Sequence, residues 1–468
     1  MGCGARLEAP ASATGVGALV AGGYSIDSRT VAAGELFFAV RGERLDGHDF
    51  VASALERGAI GAVVSRERVA SLPDDVLAAP LLVVDDPLQA LQALAAHVRR
   101  HWGGPLVAVT GSAGKTSTKD AITAALSARF RVLKSLGNLN NGFGLPLQLL
   151  RLEPEHEFAV IEMGMNHAGE IAHLSRIAGP DWGIVTNVGT AHIENFPDGR
   201  GGIARAKYEL IEALPSTGVA FLNCDDPYVG QFGRDFGGKV VYFGAGPCAD
   251  PQITEIRESN LQEEACLQID VMSNGQRGSL KLAMLGRHNA SNAVAAIAVA
   301  REAGVPLGEA IKALQNLTAG DKRGEVLALT GILAGVTIIN DSYNSNPEAL
   351  TSMIQALAAR PAQRRILVAG EMLELGSHAP ELHEVCGRAA AEAAIDVVVG
   401  VRGNAEYIVL GASSAGVKGV DSLFLPDADA AGDWLTENVR PGDVVLVKGS
   451  RGVKLEHTVE ALRRAGSA

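Results

Sequence analysis

Cysteine is scarce in this sequence, and no two cysteines form a close pair. The five cysteines are scattered over 468 residues without any C-x-x-C spacing. Their odd number and irregular spacing argue against both a disulfide framework and a zinc site. We therefore predict a protein of a reducing compartment. The cysteines are Cys3, Cys224, Cys248, Cys266 and Cys386.

Positive charge and long apolar runs are lacking as well. The net charge is −12 at pH 7, which excludes extended nucleic-acid binding because neutralising phosphates requires a basic surface. No uncharged apolar run is long enough to span a membrane, and residues 1–23 lack the basic start and apolar stretch of an export signal. The sequence thus predicts a cytoplasmic protein without membrane insertion, in which local cations hold any anionic substrate.

Aromatic residues make up only 4% of the chain, whereas hydrophobic residues make up 47% and glycine occurs 55 times. This composition is typical of an α/β protein with many strand-to-helix turns. A chain of 468 residues is too long for one hydrophobic core and suggests about three domains. We predict domains at residues 1–103, 104–320 and 321–468.

The clearest motif is a strand, a glycine loop and a helix in direct succession. The apolar run Leu106–Thr110 leads into Gly111-Ser112-Ala113-Gly114-Lys115-Thr116-Ser117, and a helical pattern follows. Backbone N–H groups of such a loop, with the positive end of the helix, form a cradle for the phosphates of ATP or GTP. Lys115 would contact the β- and γ-phosphates, and the Thr116 hydroxyl would bind Mg²⁺. Because Val109 stands where the first glycine of the standard loop would be, an ordinary glycine turn is the alternative.

Two further apolar strands are followed by side chains that suit a metal site. Phe158–Ile161 leads directly to Glu162, and Trp182–Thr186 leads through a short loop to His192. The carboxyl ends of parallel strands converge on one crevice of a sheet. We therefore expect Glu162 and His192 to meet Thr116 near the phosphates and to share Mg²⁺ with it.

Two helical patterns carry residues that allow two interpretations each. Lys207 lies within one of them, where a lysine is ordinarily a solvated charge. His288, Asn289 and Asn292 begin an alanine-rich helix. The asparagines either cap this helix or recognise the edge of a base through their amides.

Polar residues also flank the first apolar strand of the chain. Asp27, Ser28 and Arg29 precede residues 36–40, and Asp46 and His48 follow them. Polar groups at strand ends are where small ligands bind, so these residues could anchor a small molecule. The alternative is that Asp27 and Arg29 form only a surface ion pair.

Two later regions add further candidates. The loop 137–146 is rich in glycine and asparagine and is able to hydrogen-bond a polar ligand. Beyond residue 320, apolar runs alternate with helical patterns and predict another parallel sheet. Arg323 lies in the hinge before this region, where it either couples nucleotide binding to domain closure or is a solvated linker charge.

Together, these motifs resemble in order and spacing the ATP-dependent Mur ligases of peptidoglycan synthesis, over nearly the whole chain. The resemblance implies a small N-terminal α/β domain that binds a UDP-sugar, a central P-loop mononucleotide-binding parallel sheet and a C-terminal Rossmann-like domain. It is carried by residues 27–29, 34–37, 46–50, 110–116, 137–141, 162–166, 192, 207, 288–292, 341–347, 370–376 and 447–451.

The resemblance also implies the cofactors, which are ATP and two Mg²⁺ ions. Lys115, Lys207, His192 and Arg323 would be catalytic, and Lys207 would be carbamylated by CO₂ into a carboxylate-like ligand. The implied metal ligands are Thr116, Glu162, His192 and Lys207. The implied nucleotide contacts are Gly111, Ser112, Ala113, Gly114, Lys115, Thr116, Ser117, His288, Asn289, Asn292, Arg323 and Asp341.

The activity that the resemblance implies is amide ligation through an acyl phosphate, with UDP-N-acetylmuramoyl-tripeptide and D-alanyl-D-alanine as substrates. Lys448 and Arg451 would hold the free carboxylate of the dipeptide, and a monomer is expected. The other implied substrate contacts are Ser28, Arg29, Asp46, His48, Asn138, Asn140, Asn141, Tyr343, Asn344 and Asn346.

Other functions share part of this pattern. A ligase that adds the third amino acid of the peptide has a similar first domain, but its Asp-Asn-Pro-Arg signature does not occur here. Folylpolyglutamate synthase shares the central domain and leaves residues 24–50 unexplained. A nucleotide switch or scaffold ATPase also fits the phosphate loop, although the Asn-Lys-x-Asp motif for guanine is absent.

Overall fold

The structure is a computed structural model that describes residues 6–8, 20–258 and 266–467. Cys3 and most of the N-terminal segment, on which the prediction of no export signal rests, lie outside these residues. Within the described ranges, no helix is both long enough and apolar enough to cross a membrane.

Strands and helices alternate along most of the chain. The strands are β1 Arg6–Glu8, β2 Gly23–Ser25, β3 Glu35–Phe38, β4 Gly61–Ser65, β5 Leu81–Val84, β6 Leu106–Thr110, β7 Val132–Lys134, β8 Phe158–Glu162, β9 Trp182–Val185, β10 Val219–Asn223, β11 Lys239–Phe243, β12 Gln252–Glu258, β13 Leu267–Ser273, β14 Gln276–Leu282, β15 Glu325–Ala328, β16 Thr337–Asp341, β17 Arg364–Gly370, β18 Val397–Val401, β19 Asp421–Leu425 and β20 Asp443–Lys448.

The helices connect these strands and cover the sheets. They are α1 Val51–Glu56, α2 Asp74–Leu77, α3 Pro87–Trp102, α4 Lys115–Leu126, α5 Gly144–Leu149, α6 Glu170–Ala178, α7 Arg200–Glu212, α8 His288–Glu302, α9 Leu307–Leu314, α10 Pro347–Ala358, α11 Ala379–Glu392, α12 Glu406–Ser414, α13 Ala428–Asn438 and α14 Glu456–Ser467.

The chain divides into two compact units. The first unit comprises Met1–Ala108, Arg131–Met165 and Gly169–Trp182. The second unit comprises Val109–Phe130, Asn166–Ala168 and Gly183–Ala468. The phosphate loop, α4 and all of the other predicted nucleotide residues belong to the second unit.

The first unit contains a five-stranded sheet with the order β1-β5-β4-β3-β2. Strands β2 to β5 pair in parallel, and β1 pairs antiparallel with β5. Every residue of β4 is buried, which is typical of a parallel strand with both faces covered. Phe37, Ala62, Val64 and Leu81 pack in the core of this sheet.

A six-stranded sheet has the order β11-β10-β9-β6-β8-β7. β6 and β8 are buried at every position, as their continuous apolar sequences predict. β10 pairs in parallel with β11, and β7 pairs in parallel with β8. The predicted α/β class is confirmed by these sheets and their connecting helices.

The C-terminal region forms another six-stranded sheet, with the order β15-β16-β20-β17-β18-β19. Its strands are parallel except for the edge strand β15, which pairs antiparallel with β16 and was not predicted. Ile338, Ile366, Val368 and Val445 are buried in its core. The four strands predicted in this region, β16, β17, β18 and β20, are therefore confirmed, whereas β19, like β15, was not predicted.

β12, β13 and β14 form a small antiparallel sheet that was not predicted. The turn between β13 and β14 is Asn274-Gly275, and Ser273 pairs with Gln276. Both turn residues have positive φ, 47° for Asn274 and 75° for Gly275. Asn-Gly between two extended segments is a strong hairpin signal, so the sequence did contain the information.

The sequence argument against disulfides is wrong for one pair of cysteines. Cys224 and Cys248 form a disulfide in the structure, with their Cα atoms 6.3 Å apart. Cys266 and Cys386 are free thiols. Cys224 follows β10 and Cys248 follows β11, so a parallel strand pair brings together two residues that their spacing does not mark as partners.

Candidate active site

The phosphate loop needs glycine at two positions. Gly111 has a φ of 153°, and a Cβ atom on it would lie 1.8 Å from Oγ1 of Thr186. Gly114 has a φ of 79°, and a Cβ atom there would lie 2.9 Å from Oδ1 of Asn292. The alternative of an ordinary glycine turn does not explain this close packing. Helix α4 begins at Lys115, so its first N–H groups face the loop.

The strand end after β9 braces this loop. Thr186 donates its hydroxyl to the carbonyl of Ala113 at 2.7 Å, and the Asn187 amide donates to the same carbonyl at 3.1 Å. The N–H of Ala113 in turn donates to Oδ1 of Asn187 at 2.9 Å. The N–H of Gly189 donates to the Ser112 hydroxyl at 2.8 Å. Thr186, Asn187 and Gly189 were not predicted as site residues.

Lys115 and Lys207 lie close enough for their charges to interact. Nζ of Lys115 donates to the carbonyl of Gly111 at 2.8 Å. Lys207 lies on α7 with only 2% of its surface exposed, so the alternative of a solvated charge is wrong. Burial, and secondarily the charge of Lys115, holds the pKa of Lys207 well below its usual range. A neutral amine is thereby favoured at this position.

Arg323 reaches the phosphate loop. Its Nη2 donates to the Thr116 hydroxyl at 3.2 Å, and its guanidinium carbon lies 4.0 Å from the centroid of the Tyr343 ring. These contacts exclude the alternative of a solvated linker charge. The second unit therefore carries two cations at the loop, one from α4 and one from the hinge before β15.

His192 has an unusual backbone and an unexpected acidic neighbour. Its φ is 63°, in the left-handed region that costs energy for a residue with a side chain. Its Nδ1 lies 2.7 Å from Oε2 of Glu374. The His192 contact holds the pKa of Glu374 below its usual value. Glu374 lies within the family motif at residues 370–376 but was not predicted as a site residue.

The two asparagines at the start of α8 form a buried bridge rather than a cap. The Asn289 amide donates to the carbonyl of Leu285 at 2.7 Å, and its oxygen accepts from the Asn292 amide at 2.9 Å. The oxygen of Asn292 accepts from the Thr118 hydroxyl on α4 at 2.9 Å. No side chain caps α8, so the helix-capping alternative is wrong. His288 contacts the Ser352 hydroxyl through Nδ1 at 2.8 Å.

Asp341 and Lys448 were predicted for different ligands, yet they form an ion pair. Nζ of Lys448 lies 2.7 Å from Oδ2 of Asp341 and donates to the carbonyl of Asn344 at 2.8 Å. The adjacent parallel strands β16 and β20 place the two residues in register. Arg451 is exposed, and its guanidinium carbon lies 5.9 Å from the Tyr343 ring. Ribose and dipeptide binding by these residues stay predictions.

Asn346 has a structural role. Its side chain accepts the N–H of Ala349 at 2.8 Å and thereby caps α10, which starts with Pro347. Asn344 accepts the N–H of Ser345 at 2.9 Å. Substrate binding by the two asparagines is not tested by these contacts.

The buried carboxylate of Glu162 lies in the first unit. It is 4% exposed, and its Oε1 accepts from the Asn140 amide at 2.8 Å. Asn141 instead orders its own loop by accepting the N–H groups of Phe143 and Gly144. Asn138 is exposed. Of the three asparagines predicted in this loop, Asn140 is therefore the one that supports a metal-ligand candidate.

The remaining substrate candidates of the first unit differ sharply in exposure. The Arg29 side chain is 85% exposed and pairs with Asp27 at 2.7 Å. Ser28 is buried. The ring of His48 is buried, with Nδ1 2.6 Å from Asp46 and Nε2 accepting the N–H of Ser65 at 2.9 Å. Both ring nitrogens of His48 are therefore engaged within the fold.

The donor types fit Mg²⁺ as the resemblance implies. Mg²⁺ prefers hard oxygen ligands such as the Thr116 hydroxyl and the Glu162 carboxylate. A lysine amine is not such a ligand, but a carbamate on Lys207 would be. No cluster of three or more His, Cys, Asp or Glu side chains suited to a metal occurs in the described parts of the chain. The candidate ligands therefore include a hydroxyl and a modified lysine as well as a carboxylate.

Comparison with known proteins covers nearly the whole chain. Three family models match, namely "Mur ligase family, catalytic domain" over residues 21–99, "Mur ligase middle domain" over 109–300 and "Mur ligase, glutamate ligase domain" over 322–451. The UDP-N-acetylmuramoyl-tripeptide–D-alanyl-D-alanine ligase of Bacillus subtilis is 36% identical over 441 residues, which cover 94% of this chain and 93% of that protein.

Two solved structures are similar over the same extent. The crystal structure of MurF from Acinetobacter baumannii has a TM-score of 0.82 and 31% identity, covering 94% of this chain and 93% of that one. MurF ligase from Thermotoga maritima in complex with ADP has a TM-score of 0.80 and 30% identity, covering 95% of this chain and 98% of that one.

Proposed function

The chain belongs to the Mur ligase family, and on this premise we propose that it joins D-alanyl-D-alanine to UDP-N-acetylmuramoyl-tripeptide while converting ATP to ADP and phosphate. Relatives more than 30% identical over more than nine-tenths of the chain carry this activity in their names. The observation in the structure that supports it best is the phosphate loop, at which Lys115 and Arg323 both provide positive charge. The alternative ligase, which adds the third amino acid, lacks its acceptor signature in this sequence.

The reaction has two steps. The terminal carboxylate of the tripeptide attacks the γ-phosphorus of ATP, and ADP leaves, which gives an acyl phosphate. The amine of D-alanyl-D-alanine then attacks the acyl carbon, phosphate leaves, and the amine nitrogen loses a proton. The first step joins two anions, so neutralising charge and aligning the reactants are the main tasks of the protein.

Lys115 and Arg323 suit these tasks at the nucleotide. The Lys115 ammonium and the Arg323 guanidinium would bear on the transferred phosphoryl group, and the N–H groups of the loop would hold the other phosphate oxygens. Mg²⁺, when bound, supplies further charge neutralisation, with Thr116, Glu162 and His192 as its proposed protein ligands. Asn289 and Asn292 would hold the start of α8 against α4, beside the phosphate loop.

Lys207 is the proposed carbamylation site. The pKa of its amine, lowered mainly by burial, favours the neutral form that attacks CO₂. The amine nitrogen forms a bond to the CO₂ carbon and releases one proton, and the resulting carbamate is an anionic oxygen ligand for a second Mg²⁺. Mass spectrometry with ¹³CO₂ trapping on the nucleotide-bound protein tests this step. An unmodified Lys207 in that complex would remove its role at the second ion.

Recognition of the UDP-sugar is proposed for the first unit. This proposal rests on the family motifs that contain Ser28, Arg29, Asp46 and His48. For the dipeptide, Arg451 is the more accessible of the two proposed carboxylate contacts, because Lys448 already pairs with Asp341. A cytoplasmic location and a monomeric state stay predictions.

A substrate-requirement experiment tests the proposed function. Phosphate release is measured with ATP and Mg²⁺ in the presence of both substrates, each alone, and neither. The tripeptide is supplied in two forms, with meso-diaminopimelate or lysine as its third residue. We expect rapid release only when a tripeptide and D-alanyl-D-alanine are both present. Equal release without them would instead support a nucleotide switch or scaffold ATPase.

A further inference from the structure

Tyr343 contacts two arginines, and we infer that it is a positioning residue that holds Arg323 against the phosphate loop. The guanidinium carbons of Arg323 and Arg451 lie 4.0 Å and 5.9 Å from the centroid of its ring. The family motif suggested only a substrate contact for this tyrosine. The inference rests on the proposed function for the role of Arg323 at the γ-phosphate.

The backbone around Arg323 is fixed to the strand end that carries Tyr343. The N–H of Gly324 donates to the carbonyl of Asn340 at 3.0 Å, and the N–H of Tyr343 donates to the carbonyl of Lys322 at 3.2 Å. Lys322 and Gly324, on either side of Arg323, have φ values of 56° and 79°. These bonds place the arginine and the tyrosine side by side in a defined turn.

The side-chain geometry then orients the guanidinium. A guanidinium over an aromatic face is attracted by the ring while the N–H donors at its edge stay available. Nη2 of Arg323 uses this edge to reach Oγ1 of Thr116 at 3.2 Å. An unsupported arginine has many rotamers, and ordering them costs entropy when the nucleotide binds. Tyr343 lowers this cost because the side chain is already held at the loop.

The same ring also lies near Arg451, which is in the loop after β20. Arg451 is the proposed contact for the dipeptide carboxylate, whereas Arg323 is the proposed contact for the γ-phosphate. One aromatic side chain therefore lies beside the proposed contacts of ATP, which reacts in the first step, and of the dipeptide, which reacts in the second. The closer approach of Arg323 predicts that loss of the ring affects ATP more than the dipeptide.

A double-mutant cycle tests the inference. Tyr343→Leu removes the aromatic face, Tyr343→Phe keeps it, and Arg323→Ala removes the guanidinium. ATP affinity is measured by calorimetry, and KM and kcat are measured for each substrate. We expect Tyr343→Leu to weaken ATP binding about fivefold, Tyr343→Phe to stay within about twofold of wild type, and Tyr343→Leu to add little to Arg323→Ala.

The controls separate positioning from other roles. Tyr407→Leu, on α12, is the matched tyrosine control and should leave ATP affinity unchanged. Thermal unfolding shows whether each variant folds. If Tyr343→Leu does not fold, Tyr343→Met serves as a second variant without an aromatic ring. Fully multiplicative effects of Tyr343→Leu and Arg323→Ala would overturn the inference. So would an unchanged ATP affinity, or a loss in Tyr343→Phe as large as in Tyr343→Leu.

Failure of the proposed function gives a different result from failure of this inference. If the wild-type protein binds ATP without ligating the peptides, the proposed function fails, and the calorimetric cycle still measures coupling between Tyr343 and Arg323. If ligation occurs but the cycle shows no coupling, only the positioning role is removed.

Discussion

The phosphate loop and the first strand ends of the chain differ in how their candidate residues are held. At the loop, a Cβ atom on Gly111 would lie 1.8 Å from Thr186, and Lys207 is buried. In the first unit, the Arg29 side chain is 85% exposed and pairs with its neighbour Asp27. The comparison teaches that a site built from backbone geometry constrains its sequence strongly. An exposed candidate such as Arg29 leaves a much weaker trace.

Among the tests of this contrast between the phosphate loop and the first unit, the largest loss of activity is expected at Lys115. Lys115→Ala removes the cation of the phosphate loop, so phosphate release with both substrates should fall about 10³-fold. Lys312→Ala is the matched control, because Lys312 is an exposed lysine of the same unit. Turnover of Lys115→Ala close to that of Lys312→Ala would show that the loop is not the catalytic nucleotide site.

Gly111 tests whether the loop is as tightly constrained as its packing indicates. Gly111→Ala forces a Cβ atom into Thr186 at a φ of 153° and should cost about 3 kcal/mol in the free energy of unfolding. Urea denaturation measures this loss. Gly308→Ala is the matched control, because a Cβ atom there meets nothing within 4 Å, and it should change stability by less than about 1 kcal/mol. Equal stabilities of the two variants would contradict the account.

His383 tests a buried polar contact outside the nucleotide loop. Its Nε2 accepts the N–H of Met372 at 2.8 Å, its Nδ1 donates to the carbonyl of Ala379 at 2.7 Å, and burial lowers its pKa from 6.5. The unfolded chain therefore takes up a proton that the folded chain resists as the pH falls below 6.5. We expect unfolding free energy to drop below that pH. His383→Gln, which does not titrate, should flatten the profile, and an unchanged slope would remove His383 as its cause.

The smallest effect on stability is expected at Arg29, on the exposed side of the comparison. Arg29→Ala should leave the urea midpoint unchanged, because its ion pair is solvated. If Arg29 binds the UDP-sugar, the same variant should raise KM for the tripeptide about tenfold with little change in KM for ATP. Arg66→Ala removes another exposed ion pair, with Asp85, and serves as the control. An unchanged KM for the tripeptide would leave Arg29 as a surface residue only.

Much of the nucleotide site could be predicted because its determinants are local. The loop 111–117 shows its glycines, lysine and hydroxyl within seven residues, directly after a buried strand. The roles of Arg323 and Lys207 were assigned through the family resemblance, since neither residue stands out from its surrounding pattern. The structure then excludes the solvated alternative for both.

The parts that could not be predicted depend on long-range contacts. Thr186 and Asn187 brace the loop from the end of another strand, and Glu374 contacts His192 from a segment far away in sequence. The ion pair of Asp341 with Lys448 arises because β16 lies beside β20. The hairpin at Asn274-Gly275 is the exception, because a local signal for it was present and missed.

Oxygen transfer from the substrate to the released phosphate tests the central claim most directly. UDP-N-acetylmuramoyl-tripeptide is labelled with ¹⁸O in its terminal carboxylate and incubated with the protein, ATP, Mg²⁺ and D-alanyl-D-alanine. Attack of the carboxylate on the γ-phosphate predicts that one ¹⁸O atom appears in each phosphate released. Phosphate that carries oxygen from water instead of the labelled carboxylate would contradict ligation through an acyl phosphate.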